Sequence, residues 1–176
     1  MGSATKLETI TNITTTAVGL LLALVLIKVY ILPSAVQRLA RAPLSPSPQI
    51  GAGTNLSNML PGVDFRQNGR TLVLAISTAC HFCKESEPFY RRLRDEVGKG
   101  LKLVAVLPQP ATEAEQYLKE QGIRVDQVQH VSLDDVGVRG TPTMLLVNEK
   151  GTVTRVWVGK IRDEEQAEVL SVLKKG

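Results

Sequence analysis

The chain contains two cysteines, Cys80 and Cys83, two residues apart in T-A-C-H-F-C-K-E-S-E-P, residues 78–88. Thiols at this spacing share one helical turn and can close a small disulfide. An apolar run precedes the pair and a helical pattern follows it, the setting of a redox C-x-x-C. At a helix N-terminus, unpaired backbone N–H groups and the macrodipole favour a thiolate. The thiolate is the attacking species in thiol–disulfide exchange. Cys80 is therefore the candidate nucleophile and Cys83 the candidate resolving thiol. A structural disulfide or two inert buried thiols is the plain alternative. His81 lies between them. As a cation it would favour the Cys80 thiolate and make the disulfide more oxidising; otherwise it is an exposed loop histidine. Phe82 offers apolar surface, for substrate contact or for packing.

Positioning these thiols needs a strand behind and a helix ahead. Residues 72–77, L-V-L-A-I-S, form a continuous apolar run of strand length, expected to be buried on both faces. After the cysteines, Phe82, Phe89, Leu93 and Val97 recur at helical intervals up to Gly98 and Gly100. Pro88 falls inside this helix and predicts a kink. Residues 101–107 read as a second strand. Thr112-x-x-Glu115 has the capping-box pattern, and Ala114, Tyr117 and Leu118 make an apolar stripe before Gly122. A short strand over 128–133 and a short helix or turn over 134–138 follow. Residues 143–147 and 152–158 flank N-E-K-G and read as an antiparallel hairpin. Asp163-x-x-Gln166 is a second capping box, opening a last helix with Ala167, Val169, Leu170 and Leu173. A βαβ unit followed by a ββα unit predicts an α/β domain, with one mixed sheet and helices on both faces.

Charge and composition exclude several classes. The net charge is +4. Residues 1–59 hold Lys6, Lys28, Arg38 and Arg41 against Glu8, so most of the excess lies there. The remainder is near neutral with mixed signs, unlike a nucleic-acid-binding domain with its clustered basic face. One local cysteine pair excludes a disulfide-stapled scaffold and a four-ligand zinc site.

Residues 1–12 form a tail. Residues 13–32 then give twenty positions with one charge, Lys28. At 1.5 Å per residue such a helix spans about 30 Å, the hydrocarbon thickness of a bilayer. It reads as a transmembrane anchor, with Lys28 snorkelling and Tyr30 at the interface. A buried core helix would need a polar stripe, and 20–27 has none. The one A-x-A-like site, Ala40-Arg41-Ala42, runs into Pro43, so the anchor is read as uncleaved. Lys28, Arg38 and Arg41 follow the apolar run, and the positive-inside count alone puts the following domain in the cytoplasm. Residues 33–60 mix four prolines with Ser, Gly and Asn and read as a tether without a core. The domain proper is then 61–176.

Together these residues resemble the thioredoxin fold, over about residues 60–176. C-H-F-C follows an apolar strand. Cys83-Lys84-x-x-x-Pro88 repeats the lysine and kink proline that thioredoxins carry after their second cysteine. Gly140-Thr141-Pro142-Thr143 is similar to the family's cis-proline loop, and N-E-K-G with Gly159 to its late hairpin. The resemblance implies a protein thiol–disulfide oxidoreductase whose only redox group is the Cys80–Cys83 disulfide, with no cofactor. Its partners would be protein substrates with thiols or disulfides, and a redox partner that resets the pair. It also implies supporting roles for Lys84 and Pro88, a cis peptide at Pro142, and a Thr141 backbone that pairs with an extended substrate. Two departures stand out. Ala79 replaces the tryptophan before the first cysteine. Leu74 replaces the buried acid six residues before it, leaving Glu85 or Glu87 as stand-ins. The 62 residues from Cys80 to Pro142, and the order anchor, linker, domain, are similar to a membrane-tethered extracytoplasmic group that includes the cytochrome c maturation reductases. That layout implies a domain outside the cytoplasmic membrane, opposite to the charge count.

A reading from another class is a thioredoxin-fold copper chaperone built on Cys80, Cys83 and His130, the one histidine outside the motif. Such proteins usually space their cysteines by three residues, which favours exchange and no resident metal. His130 and Trp157 otherwise read as core or surface residues. A redox-inactive adaptor is disfavoured because both cysteines are present.

Overall fold

The computed structural model of the chain describes residues 18–26 and 50–175, and the chain divides after Pro46 into two units. Residues 18–26 are helical with exposed apolar side chains. The rest of the expected 13–32 anchor, the tail and most of the tether lie outside the described residues. Among the described residues, no helix is long and apolar enough to cross a membrane.

From residue 50 the elements run α1 (Phe65–Asn68), β1 (Thr71–Ala75), α2 (His81–Val97) closed by a 3-10 turn (Gly98–Gly100), and β2 (Lys102–Leu107). Then come α3 (Ala111–Glu120), β3 (Gln127–His130), β4 (Thr143–Val147), β5 (Val153–Val158) and α4 (Asp163–Lys174). The sheet order is β3-β2-β1-β4-β5. β1, β2 and β3 are parallel, β4 runs antiparallel to β1, and β5 antiparallel to β4. Residues 133–137 form a turn.

The expectation of helices on both faces holds only through the four-residue α1, whose Phe65 packs on the second face; the three long helices share the other. Leu72, Leu74 and Ile76 share one core cluster with buried residues of α2, α3 and α4. The strand order gives the reason. Both crossovers, β1-α2-β2 and β2-α3-β3, step in the same direction along the sheet, and two right-handed crossovers in one direction put both helices on one face.

The opposite face is covered by a segment expected to be tether. Val73, Ala75, Val104, Val106, Leu145 and Val147 pack in a second cluster with Ile50, Leu56, Leu60, Val63 and Phe65, and with Val136 and Val138 of the turn. Residues 50–60 therefore belong to the domain, whose start moves back from residue 61. The segment is also hydrogen-bonded to β5. Gly53 N–H donates to the Val153 carbonyl at 2.8 Å, and Val153 N–H to the Thr54 carbonyl at 2.8 Å. The outer edge of β5 is thus partly satisfied at its start, where a bare edge would invite pairing with another chain.

Neither capping box forms. α3 starts at Ala111 with Pro110 as its N-cap, so Thr112 already lies inside the helix and no side chain caps it. α4 starts at Asp163 with Arg162 as N-cap; Gln166 Nε2 donates to Asp163 Oδ1 at 2.7 Å instead of the pair capping the backbone. Both patterns sit one or two residues too far into the helix for the reciprocal bonds of a box.

Candidate active site

β1 delivers the chain to the site. Beyond it, Ile76 N–H donates to the Val106 carbonyl at 3.0 Å, and the loop turns at Ser77, whose carbonyl accepts from Cys80 N–H at 3.1 Å. Side chains around the β2–α3 connection hold the same loop. Gln109 Nε2 donates to Ser77 Oγ at 3.0 Å and Thr78 Oγ1 to Glu113 Oε1 at 3.0 Å. Cys80 then sits at the N-cap of α2 in extended conformation, and its Sγ accepts from Cys83 N–H at 3.1 Å. The sulfur thus occupies the place that a Ser or Asp oxygen takes in an ordinary N-cap.

Facing it is the loop before β4. The Thr141–Pro142 peptide is cis, Pro142 is buried, and the Cys80 thiol donates to the Thr141 carbonyl at 3.3 Å. Two bonds hold this loop. Thr143 Oγ1 donates to the Gly140 carbonyl at 2.7 Å, and Gly159 N–H to the Pro142 carbonyl at 2.7 Å. Residues 61 positions apart in sequence are brought together by the β1–β4 pairing, which aligns Ala75 with Thr143.

The two thiols differ in kind. Both are free; Cys80 is partly exposed and Cys83 fully buried. Burial works against a Cys80 thiolate, but hydrogen bonds from the Cys83 and Thr141 side chains, and then from the backbone N–H groups of Cys83 and Phe82, outweigh it, leaving Cys80 below its ordinary pKa. Burial first, and the contact with Cys80 second, push the Cys83 thiol up to about 12. The arrangement favours the thiolate at Cys80 and the protonated thiol at Cys83.

The other candidates are arranged around them. His81 is not among the groups that lower Cys80; its Nε2 lies 2.9 Å from Glu85 Oε1, and its side chain is 77% exposed. The Cys83 and Thr141 side chains, and then the backbone donors of Cys83 and Phe82, do the work expected of its charge. Glu85 also pairs with Lys160 at 3.1 Å, and that ammonium, first by hydrogen bond and then by charge, holds its carboxyl below the usual range. This leaves Glu85 engaged at the surface. Glu87, the other stand-in, accepts from the Tyr117 hydroxyl at 2.8 Å and lies near Arg91. Lys84 is exposed, and Pro88, also exposed, sits inside α2 without ending it. His130 is exposed at the end of β3. No group of three or more His, Cys, Asp or Glu side chains among the described residues is placed to hold a metal ion. Cys80, Cys83 and His130 therefore make no ligand set.

Phe82 and Val158 are the large apolar side chains left exposed in residues 50–175, at 55% and 62%. Phe82 follows Cys80 by two residues. Val158 pairs with Thr143, beside Pro142. Phe82 stood out in the sequence; Val158 did not, because alternation along β5 marks it only as one face of a strand. Tyr117 was visible only as part of a helical stripe, and nothing local ties it to Glu87, thirty residues earlier.

Comparison with known proteins agrees with this architecture. A family profile described as thioredoxin-like domain matches residues 63–174. Among curated proteins no relative matches the sequence. Among solved structures, a thiol:disulfide interchange protein, DsbE, from Chlorobium tepidum is similar at 18% identity and a TM-score of 0.55, covering 73% of this chain and 100% of that one. A thiol-disulfide isomerase from Corynebacterium glutamicum is similar at 16% identity and 0.52, covering 76% and 99%. The thioredoxin domain of a thiol-disulfide oxidoreductase from Bacteroides vulgatus is similar at 16% and 0.50, covering 71% and 93%. At these identities the likeness is one of fold.

Proposed function

Because the chain belongs to the thioredoxin-like domain family, we propose that it is a protein thiol–disulfide oxidoreductase working through Cys80 and Cys83. The observation that carries this reading is the contrast between the thiols: one partly exposed and lowered by N-cap hydrogen bonds, the other buried and raised. The Cys80 thiolate attacks a substrate disulfide, and a mixed disulfide forms as one substrate sulfur leaves. Cys83 then attacks Cys80 Sγ and releases the second substrate sulfur. The Thr141 backbone, beside Cys80, is where an extended substrate would lie, and Phe82 gives it apolar contact. The only redox group required is the cysteine pair.

The direct test is reduction of insulin disulfides with dithiothreitol as electron source, followed by turbidity. Catalysis well above the dithiothreitol background is the expected result; a rate equal to the background overturns the reading.

We also propose that residues 13–32 tether this domain to a membrane with the domain on the extracytoplasmic side. Supporting this are the length and apolarity of the run and the order anchor, linker, domain. A membrane-impermeant maleimide applied to reduced intact cells should label Cys80. Labelling only after lysis would place the domain in the cytoplasm.

A further inference from the structure

His81 stands next to Cys80 in sequence but is engaged elsewhere. Its Nε2 lies 2.9 Å from Glu85 Oε1, one turn further along α2, whereas Cys80 precedes it at the N-cap. Its ring meets Phe82 edge-on, with centroids 5.6 Å apart. The groups that set the Cys80 thiol are Cys83, Thr141 and the Phe82 backbone, acting against burial, and His81 is not among them. Glu85 is in turn held from a second element. Lys160, in the loop after β5, places its Nζ 3.1 Å from Glu85 Oε2, so each carboxylate oxygen has its own partner. Lys160 first, and His81 after it, hold the Glu85 carboxyl low. Lys160 follows Gly159, whose N–H donates to the Pro142 carbonyl at 2.7 Å. The carboxylate therefore links the first turn of the cysteine helix to the loop that steadies Pro142.

An exposed i,i+4 pair adds little to stability. Its consequence here is where it leaves a positive charge. An imidazolium turned over the Cys80 sulfur would favour the thiolate, stabilise the reduced pair and make the disulfide more oxidising. Held on Glu85, the same ring directs its charge at a carboxylate. We propose that Glu85 is a positioning residue that withholds His81 from Cys80, and so keeps the cysteine pair more reducing than a free histidine in C-H-F-C would make it. This rests on the exchange reading above and adds to it a control on the direction in which electrons run. Glu85 acts through the histidine and takes no part in the exchange itself.

The test is the redox equilibrium of the full chain with glutathione, at about pH 6, on the acid side of the ordinary histidine range. The two thiols and one oxidised glutathione give the Cys80–Cys83 disulfide and two glutathione thiols. Reduced and oxidised chains are distinguished by mass after alkylation. Wild type, Glu85→Ala, His81→Ala and the double variant form a cycle that isolates the pairwise effect. Glu85→Ala should move the equilibrium about threefold toward the dithiol, the size expected of an exposed charge pair. For a two-electron couple that is a rise of about 14 mV. Glu85→Gln, which keeps an acceptor for the imidazole, should lie between Glu85→Ala and wild type. His81→Ala alone should move the equilibrium by less than about 1.5-fold, because the charge it removes is not acting on Cys80. Without His81, the Glu85→Ala shift should also fall below about 1.5-fold. Equal Glu85→Ala shifts with and without His81 overturn the proposal, since the carboxylate would then act by its own charge. So does an unchanged equilibrium in Glu85→Ala, and so does a shift of about threefold toward the disulfide in His81→Ala alone. Each of these failures leaves the exchange reading standing, because the wild type still equilibrates. A wild type that forms no Cys80–Cys83 disulfide with glutathione removes both.

Discussion

Cys80→Ser is expected to bring insulin reduction down to the dithiothreitol background, the largest loss any single substitution in this chain should cause. A serine hydroxyl at the same N-cap still accepts from Cys83 N–H, so the helix start and the fold are retained. The nucleophile is what disappears, because an alcohol is not ionised by the hydrogen bonds that suffice for a thiol. Cys83→Ser should behave differently. The serine hydroxyl can donate where the Cys83 thiol did, and the backbone N–H of residue 83 remains, so the Cys80 thiolate and the first attack remain. The second step is lost, and mixed disulfides accumulate as adducts visible by mass and on non-reducing gels. Full turnover in Cys80→Ser, or adducts trapped on Cys83 and not on Cys80, would sink the assignment of roles.

The second large effect concerns stability. A chain cut back to 61–176 should fail to fold cooperatively, whereas one beginning at residue 47 should retain the domain. Ile50, Leu56 and Leu60 are buried against the sheet face that carries Val73, Val104, Leu145 and Val147. Fully burying each such side chain is worth about 1.5–3 kcal/mol. Three of them, with the newly exposed face opposite, are comparable with the whole stability of a domain, about 5–15 kcal/mol. The measurement is thermal unfolding followed by circular dichroism, with dye binding to report exposed apolar surface. An unchanged, cooperative transition in the shorter chain would contradict the packing described here.

That segment marks where the sequence is hard to read. Ile50, Leu56, Met59 and Leu60 are separated by Gly, Thr, Asn and Ser, with neither a helical nor a strand period, so composition alone reads as a linker. Only the need to cover the second face of the sheet reveals its role, and that is a tertiary fact. The strand before the cysteines, the helix after them and the β4–β5 hairpin were legible because each has strong periodicity or clear turn residues. The capping boxes misled because the S/T/D-x-x-E/Q spacing carries no frame of its own; at α3, Pro110 takes the cap and shifts the box inward. In the site, the helix-start position of Cys80 and Cys83 was local and readable. The replacement of His81 by the Cys83 and Thr141 side chains and the backbone donors of Cys83 and Phe82 as the source of thiolate stabilisation was not, because it depends on which way a side chain turns. The contact from Tyr117 to Glu87 was likewise invisible.

The exposed pair Phe82 and Val158 has a kinetic consequence. Proteins in solution collide in all orientations, and brief sticking between apolar patches lengthens some of those collisions. On residues 50–175 the large apolar side chains available for such sticking border the Cys80 sulfur and the Pro142 loop. An encounter held by them is already an encounter at the reactive edge. The rest of the surface, mixed in charge and lacking large exposed apolar groups, releases visitors quickly. The domain thus biases the time that partners spend in contact toward the orientation in which two sulfurs can meet, without needing to recognise any one sequence.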